Sequence, residues 1–186
     1  MRVLSIVWLM TFTGWAQTRP PEMTDEFRNL DFAAGQPGEK PVGWHLGSAG
    51  TRSYNAETVA GADCREGKRC VVIRSTGLPP DKFCFLYQIV DAKQYRGKKL
   101  TFRAAVRTDL RPGSVARLLV RIHRENGNTS FRDDMGDRPI TAGPWTFYEM
   151  TAPVIFDARD IEFGIQVFGE GSAWIDGISM NFSSVH

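Results

Sequence analysis

From Phe27 onward the chain is a succession of short runs rich in Val, Ile, Phe, Tyr and Thr in which apolar and polar residues alternate, each run ended by Gly, Pro, Asp or Asn. Alternation of period two places successive side chains on opposite faces of a pleated strand, one face buried and the other wet. No long segment carries the three-and-four spacing of an amphipathic helix. The pattern predicts strands near Phe27–Phe32, Gly43–Leu46, Ser53–Val59, Cys70–Ser75, Phe83–Val90, Lys99–Thr108, Ala116–Arg124, Trp145–Ala152, Ile161–Phe168 and Ala173–Phe182. Many short strands separated by turn residues specify an all-β fold, a two-sheet antiparallel β-sandwich of the jelly-roll kind.

Strand order then suggests the sheets. A jelly-roll path over the strands from Ser53 onward groups Cys70–Ser75, Lys99–Thr108, Ala116–Arg124 and Ile161–Phe168 in one sheet and the other four in its partner. On the first of these sheets the inward positions are Val71, Ile73, Phe102, Ala104, Val106, Leu118, Val120, Ile122, Ile161, Phe163, Ile165 and Val167. A slip of one residue would bury arginines, so the register is well specified. The alternate positions give a single outward face with Arg74, Arg103, Ala105, Arg107, Leu119, Arg121, His123, Glu162, Gln166 and Phe168. Guanidinium forks, an imidazole, a carboxylate and an amide around an aromatic ring are groups that hold a polar ligand, which makes Arg103, Arg107, Arg121, His123, Glu162, Gln166 and Phe168 candidate binding residues. The alternative is an ordinary wet sheet face whose arginines pair with Glu162 across the strands.

The N-terminus reads as a targeting segment. Arg2 precedes the apolar stretch "VLSIVWLMTF", and Gly14 and Ala16 stand where a signal peptidase reads small residues, so residues 1–16 are expected to be a signal peptide cleaved after Ala16. The apolar run is shorter than the roughly 20 residues that span a bilayer, which predicts no stable membrane insertion, and no cysteine follows the cleavage point to carry a lipid. Residues 17–26 form a proline-containing leader, and 27–184 the domain of a secreted or periplasmic protein. A formal charge of +2 with basic residues scattered along the chain gives no footprint for a nucleic-acid partner.

Export makes the cysteines disulfide candidates. Cys64 and Cys70 flank a turn-like "REGK" and are the expected pair, with Cys70–Cys84 as the rival. No CxxC pair or nearby histidine cluster suggests zinc. "SFRDDMGDRPI", Ser130–Ile140, is predicted to be a crossover loop between Arg124 and Trp145 at the rim of the binding face. Asp and Gly favour its turns and Pro139 fixes one backbone angle. Asp133 and Asp134 are its ligand candidates, while Asp137 and Arg138 are expected to hold the loop together. Trp44, Trp145 and Trp174 sit within strand patterns and are expected to close the sandwich core or its ends.

"NLDF" at Asn29–Phe32, "GW" at Gly43–Trp44, "YRGKKLTFRAAVRT" at Tyr95–Thr108, "WTFYEM" at Trp145–Met150 and "IEFGIQVFGEGSAWIDGISM" at Ile161–Met180 resemble the galactose-binding-like jelly-roll domains, a superfamily with many bacterial carbohydrate-binding modules. The resemblance covers almost all of the chain after the leader. It implies non-catalytic binding of carbohydrate or a related polar ligand. It also implies a structural calcium held near the chain ends, for which Asp31 and Asp176 are the candidate ligands, although Ala33 and Ala34 stand where an early acid is expected. A similar acidic "DRP" loop accompanies some of these domains.

Catalytic motifs are absent: no GxSxG elbow occurs, and of His45, His123 and His186 only His123 falls on the candidate face. A small hydrolase would need two carboxyl groups across a cleft, which Glu162 with Asp133 or Asp134 would supply. A structural or protein-interaction sandwich, with a protein partner on the same surface, is the other alternative.

Overall fold

The computed structural model describes residues 22–48, 53–66, 68–77, 83–141 and 143–184. The expected signal peptide, the first half of the leader and His186 lie outside the described residues. The strands are β1 (His45–Ser48), β2 (Tyr54–Ala60), β3 (Arg69–Ser75), β4 (Cys84–Asp91), β5 (Lys98–Leu110), β6 (Val115–Arg124), β7 (Thr129–Asp133), β8 (Gly143–Val154), β9 (Ala158–Phe168) and β10 (Gly171–Ser184). A single 3-10 turn, Lys93–Tyr95, is the other regular element among the described residues. Two five-stranded antiparallel sheets result, an A sheet in the order β1-β4-β9-β6-β7 and a B sheet in the order β2-β3-β10-β5-β8. The chain is therefore an all-β sandwich, as the alternation dictates.

All the inward positions anticipated from the sequence are fully buried, from Val71 and Ile73 on β3 to Ile161, Phe163, Ile165 and Val167 on β9. Phe163 sits at the centre: its ring lies 5.3 Å from Phe27, 5.5 Å from Trp44 and 5.5 Å from Phe102 between centroids. Three separate stretches of chain thus meet on one ring of the A sheet. Gly164, next to it, lets β4 come close, because a Cβ there would stand 2.0 Å from the Leu86 carbonyl oxygen.

Three expectations are corrected. The expected partition of strands between sheets fails, since β3 and β5 lie in the B sheet whereas β6 and β9 lie in the A sheet. The cause is local: β2 and β3 pair directly as a hairpin whose connection is closed by the Cys64–Cys70 disulfide, with Cα atoms 5.4 Å apart. A short stapled connection keeps consecutive strands in one sheet. The Cys70–Cys84 rival is excluded by the same bond, and Cys84 is a free, buried thiol in the A sheet.

Phe27–Phe32 is not a strand. Asn29 and Phe32 take left-handed backbone angles, φ 50° and 54°, and the Asn29 side chain donates to the Val42 carbonyl at 2.9 Å and accepts from Ala34 N–H at 2.9 Å. The segment winds across the sandwich end while Phe27, Leu30 and Phe32 still pack on the core. Finally, the first part of "SFRDDMGDRPI" belongs to strand β7, joined to β6 by a tight turn at Asn126-Gly127, where Gly127 has φ 86°. The crossover begins only at Asp134.

Burial pushes the Cys84 thiol up to about 12. Cys84 should therefore resist a thiol-directed alkylating reagent at pH 8 in the native protein and take one label per chain only after unfolding, measured by intact mass. Phe163→Ala should lower unfolding free energy by about 3–5 kcal/mol in a denaturant titration, because three ring contacts vanish together.

Candidate functional site

The outward face of the A sheet gathers most of the sequence-derived candidates. Pleating aims the even residues of β9 outward: Asp160, Glu162, Gly164, Gln166 and Phe168, opposite the inward Ile161, Phe163, Ile165 and Val167. Register places Arg121 and His123 of β6 beside Glu162 and Asp160, and Arg117 beside Gln166. On the other flank it places Phe85 beside Gln166 and Ile89 beside Glu162. Glu162 and Gln166 form a floor that is 7% and 4% exposed, with an aromatic wall on β4 and a cationic wall on β6. Two strand spacings separate these walls, about 10 Å.

The floor and the cationic wall are linked by charge. Arg121 Nη1 donates to Glu162 Oε2 at 2.9 Å. His123 Nδ1 meets Asp160 Oδ1 at 2.6 Å, and its Nε2 stands 3.9 Å from Glu162 Oε2. Arg159 Nε donates to the second Asp160 oxygen at 2.7 Å. The cross-strand pairing anticipated for Glu162 is thus realised by Arg121. Yet Arg121 Nε is buried with no acceptor, and so is Arg117 Nε, whose guanidinium carbon lies 4.7 Å from the Phe168 ring centroid. Buried donors without acceptors are rare in folded proteins.

The aromatic wall was missed by sequence reasoning. Phe85 and Tyr87 stack at 4.5 Å with planes 12° apart, and His45 lies 5.6 Å from Tyr87. Gly47 on β1 makes room for this arrangement, since a Cβ there would stand 3.1 Å from the Tyr87 ring. Burial raises the Tyr87 phenol above its ordinary value and the nearby Glu162 charge raises it further, so its hydroxyl remains a donor at neutral pH. The alternation in Phe83–Val90 carried the signal, but that run had been assigned to the opposite sheet.

Arg103 and Arg107 are not part of this face. Both lie on β5 and project from the outer side of the B sheet, where they cover aromatic rings. Arg103 stacks 3.4 Å over Phe147, with Arg65 4.4 Å from the same ring, and Arg107 stacks 4.0 Å over Trp174. Arg107 also reaches Asp63 at 3.2 Å. Trp145, Trp174 and the disulfide form a small cluster of their own here, whereas Trp44 is in the main core.

Asp133 and Asp134 are tied into their loop. Asp133 accepts from Met135 N–H at 3.0 Å and from Arg138 at 2.5 Å, and Met135, at φ 50°, is buried. Asp137 bonds Arg138 at 2.8 Å, as a loop-holding pair should. Asp134 accepts from Arg132 at 2.7 Å and from Gly136 N–H at 3.2 Å. Burial pushes its carboxyl up, but the Arg132 hydrogen bond and charge, the Gly136 N–H and the nearby Arg117 outweigh that and hold it below the usual carboxylate range. A Cβ at Gly136 would stand 3.6 Å from Arg117 Nη1, so the loop lies beside the A-sheet arginine.

The calcium candidates Asp31 and Asp176 line one cavity of about 570 Å³ at the sandwich end, with Ala33 and Arg69. They do not fit the ion. Asp31 accepts from Ala33 N–H at 3.1 Å, and Asp176 accepts from Arg65 N–H at 3.1 Å and Gly177 N–H at 2.7 Å. Among the described residues no three His, Cys, Asp or Glu side chains gather as a metal site.

No family model matches the chain. An uncharacterised HTH-type transcriptional regulator of Bacillus subtilis is 27% identical over 143 residues, a match that takes 75% of this chain and 48% of the regulator, so the chain spans about half of that relative. Among solved structures, the CBM22-1 xylan-binding domain of Paenibacillus barcinonensis Xyn10C superposes with a TM-score of 0.60 at 11% identity, over 84% of this chain and 94% of that domain. A Stig cyclase from Fischerella sp. TAU gives 0.62 at 10% identity, over 88% and 99%. The active domain of bacteriophage CBA120 tailspike protein 4 gives 0.64 at 16% identity, but this chain spans only 21% of it. The chain thus has the jelly-roll sandwich of carbohydrate-binding modules, a fold that a cyclase also uses.

Because the Asp134 carboxyl is held below its unfolded value, its contribution to stability is complete above about pH 4 and lost as pH falls through the folded value. Asp134→Asn should destabilise by about 1 kcal/mol at pH 7, and thermal melts of variant and parent should converge as the buffer is taken below pH 4.

Proposed function

We propose that this chain is a secreted, non-catalytic binding module that holds a carbohydrate chain on the outward face of the A sheet. The observation that carries the reading is the placement of a stacked aromatic pair, Phe85 and Tyr87, and two arginines, Arg117 and Arg121, on either side of the buried Glu162 and Gln166 floor. Sugars present apolar ring faces to aromatic planes and hydroxyl acceptors to fixed donors, so one ligand type satisfies both walls. A separation of about 10 Å admits a single saccharide chain between them. Phe85, Tyr87, Arg117, Arg121, His123, Glu162, Gln166 and Phe168 are the residues of this site, with the Asp133–Asp134 loop at its rim. The similarity of fold to a xylan-binding domain supports the same reading.

Binding is favoured over hydrolysis by how the carboxylates are held. Glu162 and Asp160 each bond a cation, and Asp133 and Asp134 are engaged by Arg138 and Arg132. On the A-sheet face none of these four carboxylates is left as a free acid or a free base, as glycoside hydrolysis needs. Export is supported by the Cys64–Cys70 disulfide and the N-terminal sequence. No helix among the described residues is long and apolar enough to cross a membrane. The described residues hold no helix pair for DNA, so the half-length match to an HTH-type regulator gives this chain no DNA-reading element.

In affinity gel electrophoresis against soluble polysaccharides that include xylan, the protein should be retarded, and Tyr87→Ala and Arg121→Ala should each weaken binding at least about tenfold without loss of folding. Arg103→Ala, on the opposite sheet, should bind like the parent. No retardation by any polysaccharide, together with a concentration-dependent mass, would replace this reading with a protein-interaction surface.

A further inference from the structure

The end of the sandwich that carries Asp31 and Asp176 already contains a cation. Arg69, the first residue of β3, donates from Nη1 to the Ala33 carbonyl at 2.6 Å and to the Gly35 carbonyl at 2.6 Å. These two carbonyls belong to the winding segment after Phe32, so one side chain ties that segment to the B sheet across a sequence separation of more than thirty residues. Its guanidinium, Asp31 and Asp176 line the same cavity, with Lys68 as a second positive charge and Glu66 as a third carboxylate. A divalent ion needs six or more oxygens at about 2.3–2.6 Å. Two backbone oxygens at this end, those of Ala33 and Gly35, are already bonded to a positive charge.

We propose that Arg69 is the built-in cation of this site: it takes the structural place of a bound calcium, so the fold of this chain holds without the metal. A guanidinium suits the role because one terminal nitrogen, Nη1, carries two hydrogens that meet two carbonyl acceptors at once, and its charge is permanent near neutral pH. The carboxylates agree with the assignment. Both Asp176 oxygens accept backbone N–H groups, from Arg65 at 3.1 Å and from Gly177 at 2.7 Å. Arg69 thereby fixes the loop whose Phe32 enters the core beside Trp44, at 5.4 Å between ring centroids.

The test uses the protein without its N-terminal 16 residues. Calorimetric titration of calcium chloride should give no binding heat, and the melting temperature should be the same in excess calcium and in excess EDTA. Arg69→Met, which keeps the stem and removes the donors, should lower the melting temperature by about 3–10 °C in both buffers. Arg69→Lys, which keeps the charge and a donating nitrogen on a shorter stem, should fall between the two. Saturable calcium binding that raises the melting temperature of the parent protein would overturn the assignment, and so would an Arg69→Met variant that melts with the parent. If Arg69→Met yields no folded protein, the Arg69→Lys melt and the calcium titration of the parent decide the matter.

Discussion

The register of one strand, β9, governs both the interior and the candidate surface of this molecule. Its inward residues, Ile161, Phe163, Ile165 and Val167, are fully buried, and its outward residues, Glu162 and Gln166, form the polar floor. Shifting β9 by one position would drive Glu162 and Gln166 into the core and expose Phe163, breaking ring contacts to Phe27, Trp44 and Phe102. Burying an unpaired carboxylate costs several kcal/mol, about as much as losing the aromatic core, so both terms oppose the slip. The core therefore fixes the site: the strand that packs best is the strand that presents Glu162 to Arg121 and Asp160 to His123.

That coupling explains what could be read in advance. Alternation is a property of each strand alone, so every inward position on β3, β5, β6 and β9 was legible without knowing which strands are neighbours. Neighbours are decided by connections, and there the reading faltered. The Cys64–Cys70 staple turned β2 and β3 into a hairpin, and the Asn126-Gly127 turn made β7 from residues read as loop. Both signals were present in the sequence, as a disulfide pair around a turn and as a hairpin dipeptide. Site prediction inherited the error. Arg121, His123, Glu162, Gln166 and Phe168 kept company because they share two adjacent strands, whereas Arg103 and Arg107 went to the other sheet and Tyr87 and Phe85 took their place.

The arginines show why residue type alone does not identify a site. Arg103 and Arg107 are each stacked on a ring, Arg103 on Phe147 and Arg107 on Trp174. Arg69 is engaged by two carbonyls, and Arg132 and Arg138 by loop aspartates. Those roles stabilise the scaffold, through cation–π contact, backbone capture and ion pairs. Arg117 and Arg121 differ in place: register sets them on β6 beside Gln166 and Glu162, across β9 from the stacked Phe85 and Tyr87.

Access to the aromatic rings separates the two faces of the sandwich. The outer B-sheet face has more aromatic area, with Phe147, Trp145 and Trp174, and on composition it would be the more attractive sugar platform. Its rings are already capped by Arg65, Arg103 and Arg107, so a ligand would first have to displace a favourable cation from each. On the A sheet, Tyr87 carries no such cap among the described residues, and Gly47 beneath it keeps the space around the ring clear. Recognition of a neutral, hydroxyl-rich chain requires an aromatic plane open to it and donors waiting beside it. Among the described residues, the A-sheet face between β4 and β6 brings these together, with the backbone approach at Gly164 holding β4 against the strand between them.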